Sequence, residues 1–356
     1  MTAILAINPG STSTKISVFD GEKEVFTKTL RHTSEEMSRF DKVIDQYEFR
    51  KDAIINALKE HGMALGDFRA IVGRGGLLRP ISSGVYAVNG KMIEDLRSAQ
   101  YGEHASNLGG IIADAVAKAA GNGCPAYIAD PVVVDELDDV ARVGGHPLFP
   151  RISIFHALNH KAIAKLYAKE QGTRYEDLNL IVAHLGGCVS VAAHRKGKVV
   201  DVNNALYGEG PFSPERSGGI SARQLADACF SGKYTRDEIN KIISGKGGIV
   251  AHLGTNSYKD VEDRMAAGDK KAKLISDAFI YNVAKAIGGM APVFSGKVDA
   301  ILVTGGIAYG KEIMQQLADM VSFIAPVRIY PGEDEMAALA KNAFAAIEGR
   351  EEVRTY

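Results

Sequence analysis

The chain has 356 residues, 46% hydrophobic and 24% charged, with a formal net charge of -1 at pH 7. That length suffices for two ordinary hydrophobic cores. The even charge balance supplies neither the basic field that holds nucleic acid nor a polybasic stretch for an anionic membrane, so a small or neutral partner is expected.

In chain order, Ala3 to Ile7 reads as a buried strand, Lys15 to Phe19 as a second, and Asp20-Gly21 as a tight turn into a third near Val25 to Leu30. The loop between the first two strands is NPGSTST. Pro9 fixes its backbone, Gly10 permits close approach, and the amides with Ser11, Thr12, Ser13 and Thr14 can present donors to a phosphate. A polar hairpin tip exposed to water is the other reading. Asp41 to His61 has an amphipathic helical pattern, Ala70 to Val72 a short strand, and Asn107 to Ala120 a helix of small residues closed by Gly121. CPAYIADPVVVDEL then reads as a strand with Asp130 at its carboxyl end, where α/β sheets build their sites. A long helix is expected from Pro150 to near Gly172, joining two halves.

The stretch LIVAHLGGCVSVAAHRKGKVVDV, residues 180 to 202, repeats the opening order of strand, Gly-rich turn, strand, Gly-containing turn, strand. Two such hairpins imply a duplicated α/β domain with a nucleotide held between the copies. Helices follow at Ser221 to Ser231, Arg236 to Ser244 and Lys270 to Met290. DAILVTGGIAYGKEI, residues 299 to 313, is an apolar strand opening a helix, and it matches neither GxGxxG nor GxxxxGK[ST]. Gly305 and Gly306 either let a nucleoside lie against the backbone or form a plain strand-to-helix turn. A last helix, Met336 to Glu348, can return to the first domain. The expected domains are 1–150 with 336–356, and 151–335.

Cys124, Cys188 and Cys229 are odd in number and scattered, without a CxxC pair, which points to a reducing cytosol. No run reaches the ~18 apolar residues of a membrane span. The first apolar run has no basic flank, so a cytoplasmic protein with no membrane partner is expected.

Seven short motifs occur in one order: NPGSTSTK, VGRGG at 72–76, YGEHASNLGG at 101–110, FHALNH at 155–160, AHLGG at 183–187, ERSGG at 215–219 and TGGIAYG at 304–310. In this the chain resembles the acetate and butyrate kinase family over nearly its whole length, and it is most similar to the butyrate kinases. The resemblance implies the duplicated actin/Hsp70/sugar-kinase fold, with ribonuclease H-like domains. It also implies reversible phosphorylation of a short-chain fatty acid by ATP, giving acyl phosphate and ADP with Mg²⁺. A homo-oligomer is expected. Acetate or propionate kinase, and a non-catalytic nucleotide-switched protein of this fold, are the alternatives.

The residue types suit that chemistry. A carboxylate is already ionised at neutral pH and needs no general base, so the difficulty is anion meeting anion. Arginines, Mg²⁺ and placed donors answer it. By resemblance, Arg74 is the arginine on the carboxylate side, Arg216 brackets the transferred phosphoryl group, and His156 donates to that group. Asn8 and Asp130 resemble the loop asparagine and the Mg²⁺-organising aspartate. Ser11, Ser13 and Lys15 match the first phosphate loop, Gly186 and Gly187 the second. Glu335 resembles the distal Mg²⁺-linked glutamate, with Glu333 leaving the register open, and His104 and His160 match supporting histidines.

Plainer readings compete. Arg74 and Arg216 can be surface arginines, Asp130 a cap before Pro131, and Lys15 an outward strand residue. His156 and His160 have a zinc-compatible spacing, but Ala157 stands where a zincin carries Glu. Cys188 departs from the family's usual third glycine, as a packed small residue or as a thiol beside phosphates. Gly76 aligns where a valine-sized side chain encloses a shorter acid, so its lack of a side chain is expected to leave room for two more carbons.

Overall fold

The computed structural model describes residues 3–356. It divides into two units, one formed by residues up to Val134 with Asp334–Tyr356, the other by Asp135–Glu333.

In the first unit, β1 (Ala3–Pro9), β2 (Ser13–Asp20) and β3 (Lys23–Arg31) form an antiparallel meander. β4 (Phe68–Arg74) pairs parallel with β1, and β6 (Ala126–Ala129) pairs parallel with β4; β5 (Val85–Ala87) lies antiparallel on β6, and Val353–Thr355 extends that edge. Every residue from Ala3 to Ile7 is buried, as expected of a strand covered on both faces. Leu5, Ile7, Ile16 and Ile71 pack against Ile54 and Leu58 of the helix Tyr47–Glu60 and against Leu108, Ile112 and Val116 of the helix Asn107–Ala120. The final helix, Glu335–Ile347, contacts β1 and β4, as its apolar pattern requires.

In the second unit, β7 (Asn179–Leu185), β8 (Val189–Arg195) and β9 (Lys198–Val202) form another antiparallel meander. β10 (Ala300–Gly305) pairs parallel with β7, and β11 (Val327–Pro331) pairs parallel with β10. The order β9-β8-β7-β10-β11 repeats β3-β2-β1-β4-β6 in pairing and direction, so the hairpin echo in the sequence is a repeated topology. Phe279, Val283 and Ile287 of the helix Lys270–Met290 and Leu317 of Lys311–Val321 cover one group of strand side chains, including Ile181, Val191 and Val303. Ala164, Tyr167 and Ala168 of the helix Ala157–Glu170 cover Leu180, Val182 and Leu302.

That last helix begins at Ala157, not at Pro150. The preceding backbone is spent on partners distant in sequence: Arg151 N donates to Arg142 O, and Ile154 O accepts from Ala205 N. β-Branched Ile152 and Ile154 favour such an extended path. Among the described residues no helix is long and apolar enough to cross a membrane.

Candidate active site

In the first unit, β1, β4 and β6 run parallel with Ile7 opposite Gly73 and Arg74 opposite Ala129. Asn8, Arg74 and Asp130 therefore lie side by side at the carboxyl ends of three adjacent strands, where open α/β sheets place their chemistry. Glu335 arrives on the first turn of the returning helix. Its Oε2 accepts from Asn8 Nδ2 at 2.6 Å and from Arg74 Nη1 at 3.0 Å. The same Nη1 lies 3.4 Å from Asn8 Oδ1. Arg74 keeps a quarter of its side chain exposed, and Glu335 about a tenth, so the pair is anchored on one side and open on the other.

Asp130 is buried and holds a left-handed backbone, φ 40°, a conformation that is costly for a residue with a Cβ. Its Oδ1 accepts from Ser83 Oγ at 2.6 Å and Gly84 N at 2.9 Å. Those bonds fix the carboxylate at the strand end.

The loop Gly10–Thr12 is shaped by a residue remote in sequence. Arg50, fully buried in the helix Tyr47–Glu60, donates through Nη1 to Gly10 O at 2.8 Å and Ser13 O at 2.9 Å, and through Nη2 to Ser11 O at 3.0 Å. Thr14 Oγ1, Gln46 Oε1 and Met37 Sδ complete its shell. Burial lowers its pKa to about 10, which leaves it charged at neutral pH. With three carbonyls turned onto Arg50, the loop has its acceptors committed inward. Ser11 is exposed and Ser13 half-buried. Lys15 is exposed and sits directly across from Asn8, a pairing that puts both side chains on one face.

The glycines of VGRGG do different work from that expected. A Cβ on Gly73 would stand 2.1 Å from Gly109 O, and one on Gly109 would stand 2.1 Å from Arg74 O. VGRGG and SNLGG are thus one strand-to-helix contact in which the two backbones touch. Gly75 is closed by Pro131, and a Cβ on Gly76 would lie 2.5 Å from both Asn107 Cα and Oδ1. Gly76 is therefore a packing contact with the start of the helix Asn107–Ala120, and the expected extra acyl space at this position is not there. Gly76→Val should lower the melting temperature and depress turnover of every acid alike; a loss confined to longer acids, measured beside thermal melting, would contradict this.

In the second unit the register His184 opposite Thr304 and Gly305 opposite Pro331 gathers Gly186, Gly187, Gly306 and Glu333 beyond the carboxyl ends of β7, β10 and β11. They line a cavity of about 470 Å³ together with Asn256, Lys259, Glu262, Tyr309 and Lys311. Gly305 is not among the lining residues: with φ 97°, its Cβ would meet Leu185 O at 2.3 Å. It lets β10 close on β7, whereas a Cβ on Gly306 would meet nothing within 4 Å and point into open space. Glu333 Oε1 lies 3.0 Å from His184 Nε2, while Glu335 meets Asn8 and Arg74, so the two glutamates occupy distinct environments.

Arg216 is tied to the second glycine turn. Ser213 Oγ donates to Gly187 O at 2.7 Å and accepts from Arg216 N at 3.1 Å, and Arg216 Nε donates to Cys188 Sγ at 3.3 Å. Cys188 is half-buried. Its sulfur accepts from the Arg216 guanidinium, a contact that neither reading of Cys188 from the sequence included.

His156, the residue before the helix Ala157–Glu170, stacks on His184 with ring centroids 3.8 Å apart, and its Nδ1 lies 2.8 Å from Ser190 Oγ. His160 is buried, with Nε2 2.8 Å from the same hydroxyl and Nδ1 3.2 Å from His194 Nε2. These nitrogens are aimed at one another and at Ser190. Among the described residues no group of three or more His, Cys, Asp or Glu side chains is arranged to hold a metal ion. His104 pairs with Ser106 in the turn before the helix Asn107–Ala120.

The family model of the acetokinase family matches residues 151–329. Over 353 residues the chain is 57% identical to Butyrate kinase 2 of Clostridium acetobutylicum, covering 99% of both proteins. The chain belongs to the acetokinase family. Butyrate kinase 1 of the same organism is 55% identical over 356 residues, covering 100% of both. The crystal structure of Porphyromonas gingivalis acetate kinase aligns with a TM-score of 0.81 at 17% identity, covering 98% of this chain and 100% of that one. This last likeness shows the shared duplicated actin-like fold.

Within this acetokinase-family chain, sequence reading missed Arg50, Lys259, Lys311 and the Asn159–His184 pair, in which His184 Nδ1 lies 2.8 Å from Asn159 Oδ1. Arg50 did leave a signal: it lies four and eight residues before Ile54 and Leu58, on the helix's apolar face. A charge there requires buried partners.

Proposed function

We propose that the protein catalyses the reversible transfer of a phosphoryl group from ATP to a short-chain fatty acid, butyrate or a branched relative, giving acyl phosphate and ADP. The observation that carries this reading is the full-length likeness to the two Clostridium acetobutylicum butyrate kinases. The geometry supports a division of labour. Arg74, anchored by Glu335 and Asn8, receives the acid's carboxylate. Asn8, Ser11, Ser13 and Lys15 serve one phosphate loop, the turn at Gly186 and Gly187 the other, and the cavity beside Gly306 takes the nucleoside.

A carboxylate oxygen attacks the γ-phosphorus, its new O–P bond forming as the bond to the β-phosphate oxygen breaks and the electron pair leaves with ADP. No proton moves. Arg216 and His156 donate to the equatorial oxygens as their charge rearranges. Asp130 and Glu335 would hold Mg²⁺; two carboxylates suit an ion that keeps water and phosphate oxygens as its other ligands. When bound, that ion supplies charge neutralisation at the phosphates.

Asp130→Asn should raise the Mg²⁺ concentration needed for half-maximal rate, with high Mg²⁺ restoring part of the activity. An unchanged Mg²⁺ dependence together with loss of a rising pH limb would assign Asp130 to proton abstraction instead. The reading as a whole is tested by incubating the purified protein with ATP, Mg²⁺ and butyrate in hydroxylamine. Butyrohydroxamate should accumulate in step with ADP. Nucleotide binding with no hydroxamate from butyrate, isobutyrate or acetate would identify a non-catalytic nucleotide switch.

A further inference from the structure

Behind His156 runs a line of buried polar groups for which the transfer chemistry described above has no use. His156 and His160 are four residues apart, the spacing that stacks side chains on one helix face. Ser190 and His194 are four apart on β8, a spacing that puts both on one face of the strand. The two pairs meet. His156 Nδ1 lies 2.8 Å from Ser190 Oγ, which lies 2.8 Å from His160 Nε2; His160 Nδ1 lies 3.2 Å from His194 Nε2, and His194 Nδ1 lies 2.7 Å from the Tyr175 hydroxyl. Ser190, His160 and His194 are each fully buried.

The three rings are threaded head to tail, each linked to the next through Nε2 of one and Nδ1 of the other, with Ser190 as the bridge between His160 and His156. Burial and neighbouring rings push His160 well below its ordinary pKa, and burial with the Lys161 ammonium does the same to His194. Both rings are neutral at pH 7. A neutral imidazole has one N–H and one lone pair, so every link needs one donor and one acceptor. A pattern in which Ser190 Oγ accepts from both His160 and His156 would leave the buried Ser190 hydroxyl hydrogen with no ring to donate to, and those two rings are its side-chain partners among the described residues. With that hydrogen placed on the line, two concerted patterns satisfy all the links, all rings Nε2–H or all Nδ1–H. Tyr175 chooses between them, because a phenol is a much stronger acid than a neutral imidazole N–H and makes the better donor to His194 Nδ1. Lys161 stands near the same end, with Nζ 5.8 Å from the Tyr175 ring centroid. Its charge favours the electron-rich end of the chain there, although Glu136 partly balances it through a 2.7 Å ion pair.

We propose that Tyr175, His194, His160 and Ser190 are positioning residues that lock His156 as the neutral Nε2–H tautomer. Tyr175 donates to His194 Nδ1, His194 Nε2–H to His160 Nδ1, His160 Nε2–H to Ser190 Oγ, and the Ser190 hydroxyl to His156 Nδ1. His156 Nε2 is left carrying a proton, the polarity needed to donate to an anionic oxygen; the opposite pattern would present a lone pair and repel it. The proposal rests on the assignment of His156 to the transferred phosphoryl group. Other groups around the line are His184, stacked on His156 and itself facing Asn159 and Glu333, and Phe155, edge-on to His160.

The test separates the relay from the activity. Long-range ¹H–¹⁵N correlation spectra of the full chain, labelled at histidine, report each tautomer in the resting protein without substrate. His156, His160 and His194 should all be Nε2–H at pH 7, and any one of them found as Nδ1–H or doubly protonated overturns the proposal. Ser190→Ala, which cuts the bridge, should leave His156 as a mixture of tautomers and lower kcat roughly 10- to 100-fold with KM for ATP nearly unchanged, because the lost interaction belongs to the transition state. A folded Ser190→Ala protein with a single Nε2–H His156 and full kcat contradicts it. Tyr175→Phe is the milder variant: it should loosen the tautomers of His194 and His160 while leaving the fold intact, and unchanged tautomers would remove Tyr175 from the role. Absence of kinase activity alongside three Nε2–H rings would refute the assigned chemistry and leave the relay standing.

Discussion

Arg216→Ala is expected to lower kcat by roughly 10²- to 10⁴-fold with much smaller changes in KM for ATP and for the acid. The guanidinium is held by its own loop: its backbone N–H bonds to Ser213 Oγ, which also ties down Gly187, and Nε donates to Cys188 Sγ. Its remaining nitrogens are then available to charge that redistributes only as the phosphoryl group moves. Arg216→Lys should recover part of the loss, because an ammonium supplies charge without the planar fork. Cys188→Ala should cost far less than Arg216→Ala, since it removes an orienting contact and keeps the cation. Steady-state kinetics on folded protein decide the matter. An alanine variant with near-normal kcat would remove Arg216 from the transfer step.

The second large effect is expected at Arg50, which touches no reacting group. Arg50→Met replaces the guanidinium with a side chain of similar reach and no donors, leaving Gly10 O, Ser11 O, Ser13 O, Thr14 Oγ1 and Gln46 Oε1 without that partner. Each buried acceptor so abandoned costs about 1–3 kcal/mol, with reorientation of the loop and entry of water recovering part of it. A net loss of about 3 kcal/mol or more is expected, read as a lowered denaturant midpoint at unchanged slope. In whatever fraction remains folded, KM for ATP should rise, because the loop carbonyls are free to turn outward and put negative ends at the proposed phosphate site. An unchanged midpoint with unchanged KM would show that the loop holds its shape without Arg50.

The comparison of these two arginines shows what the linear sequence displayed. Arg216 sits in ERSGG and is singled out by motif order. Arg50 is not, although its place on the Ile54–Leu58 face of its helix holds the clue. The repeated hairpins were legible because apolar strands and Gly-containing turns are local, and the helices Asn107–Ala120 and Lys270–Met290 lie where small-residue periodicity and a Gly121 stop put them. The start of the helix at Ala157 was not legible, because Arg142 and Ala205 decide it from a distance.

The glycines taught most. Gly76 was expected to leave open acyl space, yet it abuts Asn107, and Gly73 with Gly109 marks the point at which a strand and a helix touch. Reading those roles requires knowing which backbone lies opposite. Glu333 and Glu335 posed the same difficulty. Two residues apart in sequence, they are separated only by the partners that meet them, His184 for one and Asn8 with Arg74 for the other.

The most direct measurement of the central claim is the ratio of kcat/KM for butyrate to that for acetate at saturating ATP and Mg²⁺. Each buried methylene contributes ~0.8 kcal/mol, so a pocket shaped for four carbons should favour butyrate by roughly 10-fold or more. A ratio at or above that value, with ADP and acyl phosphate formed in equal amounts, is the result expected of a fatty-acid kinase of this chain length. Acetate turned over as well as butyrate or better would contradict it.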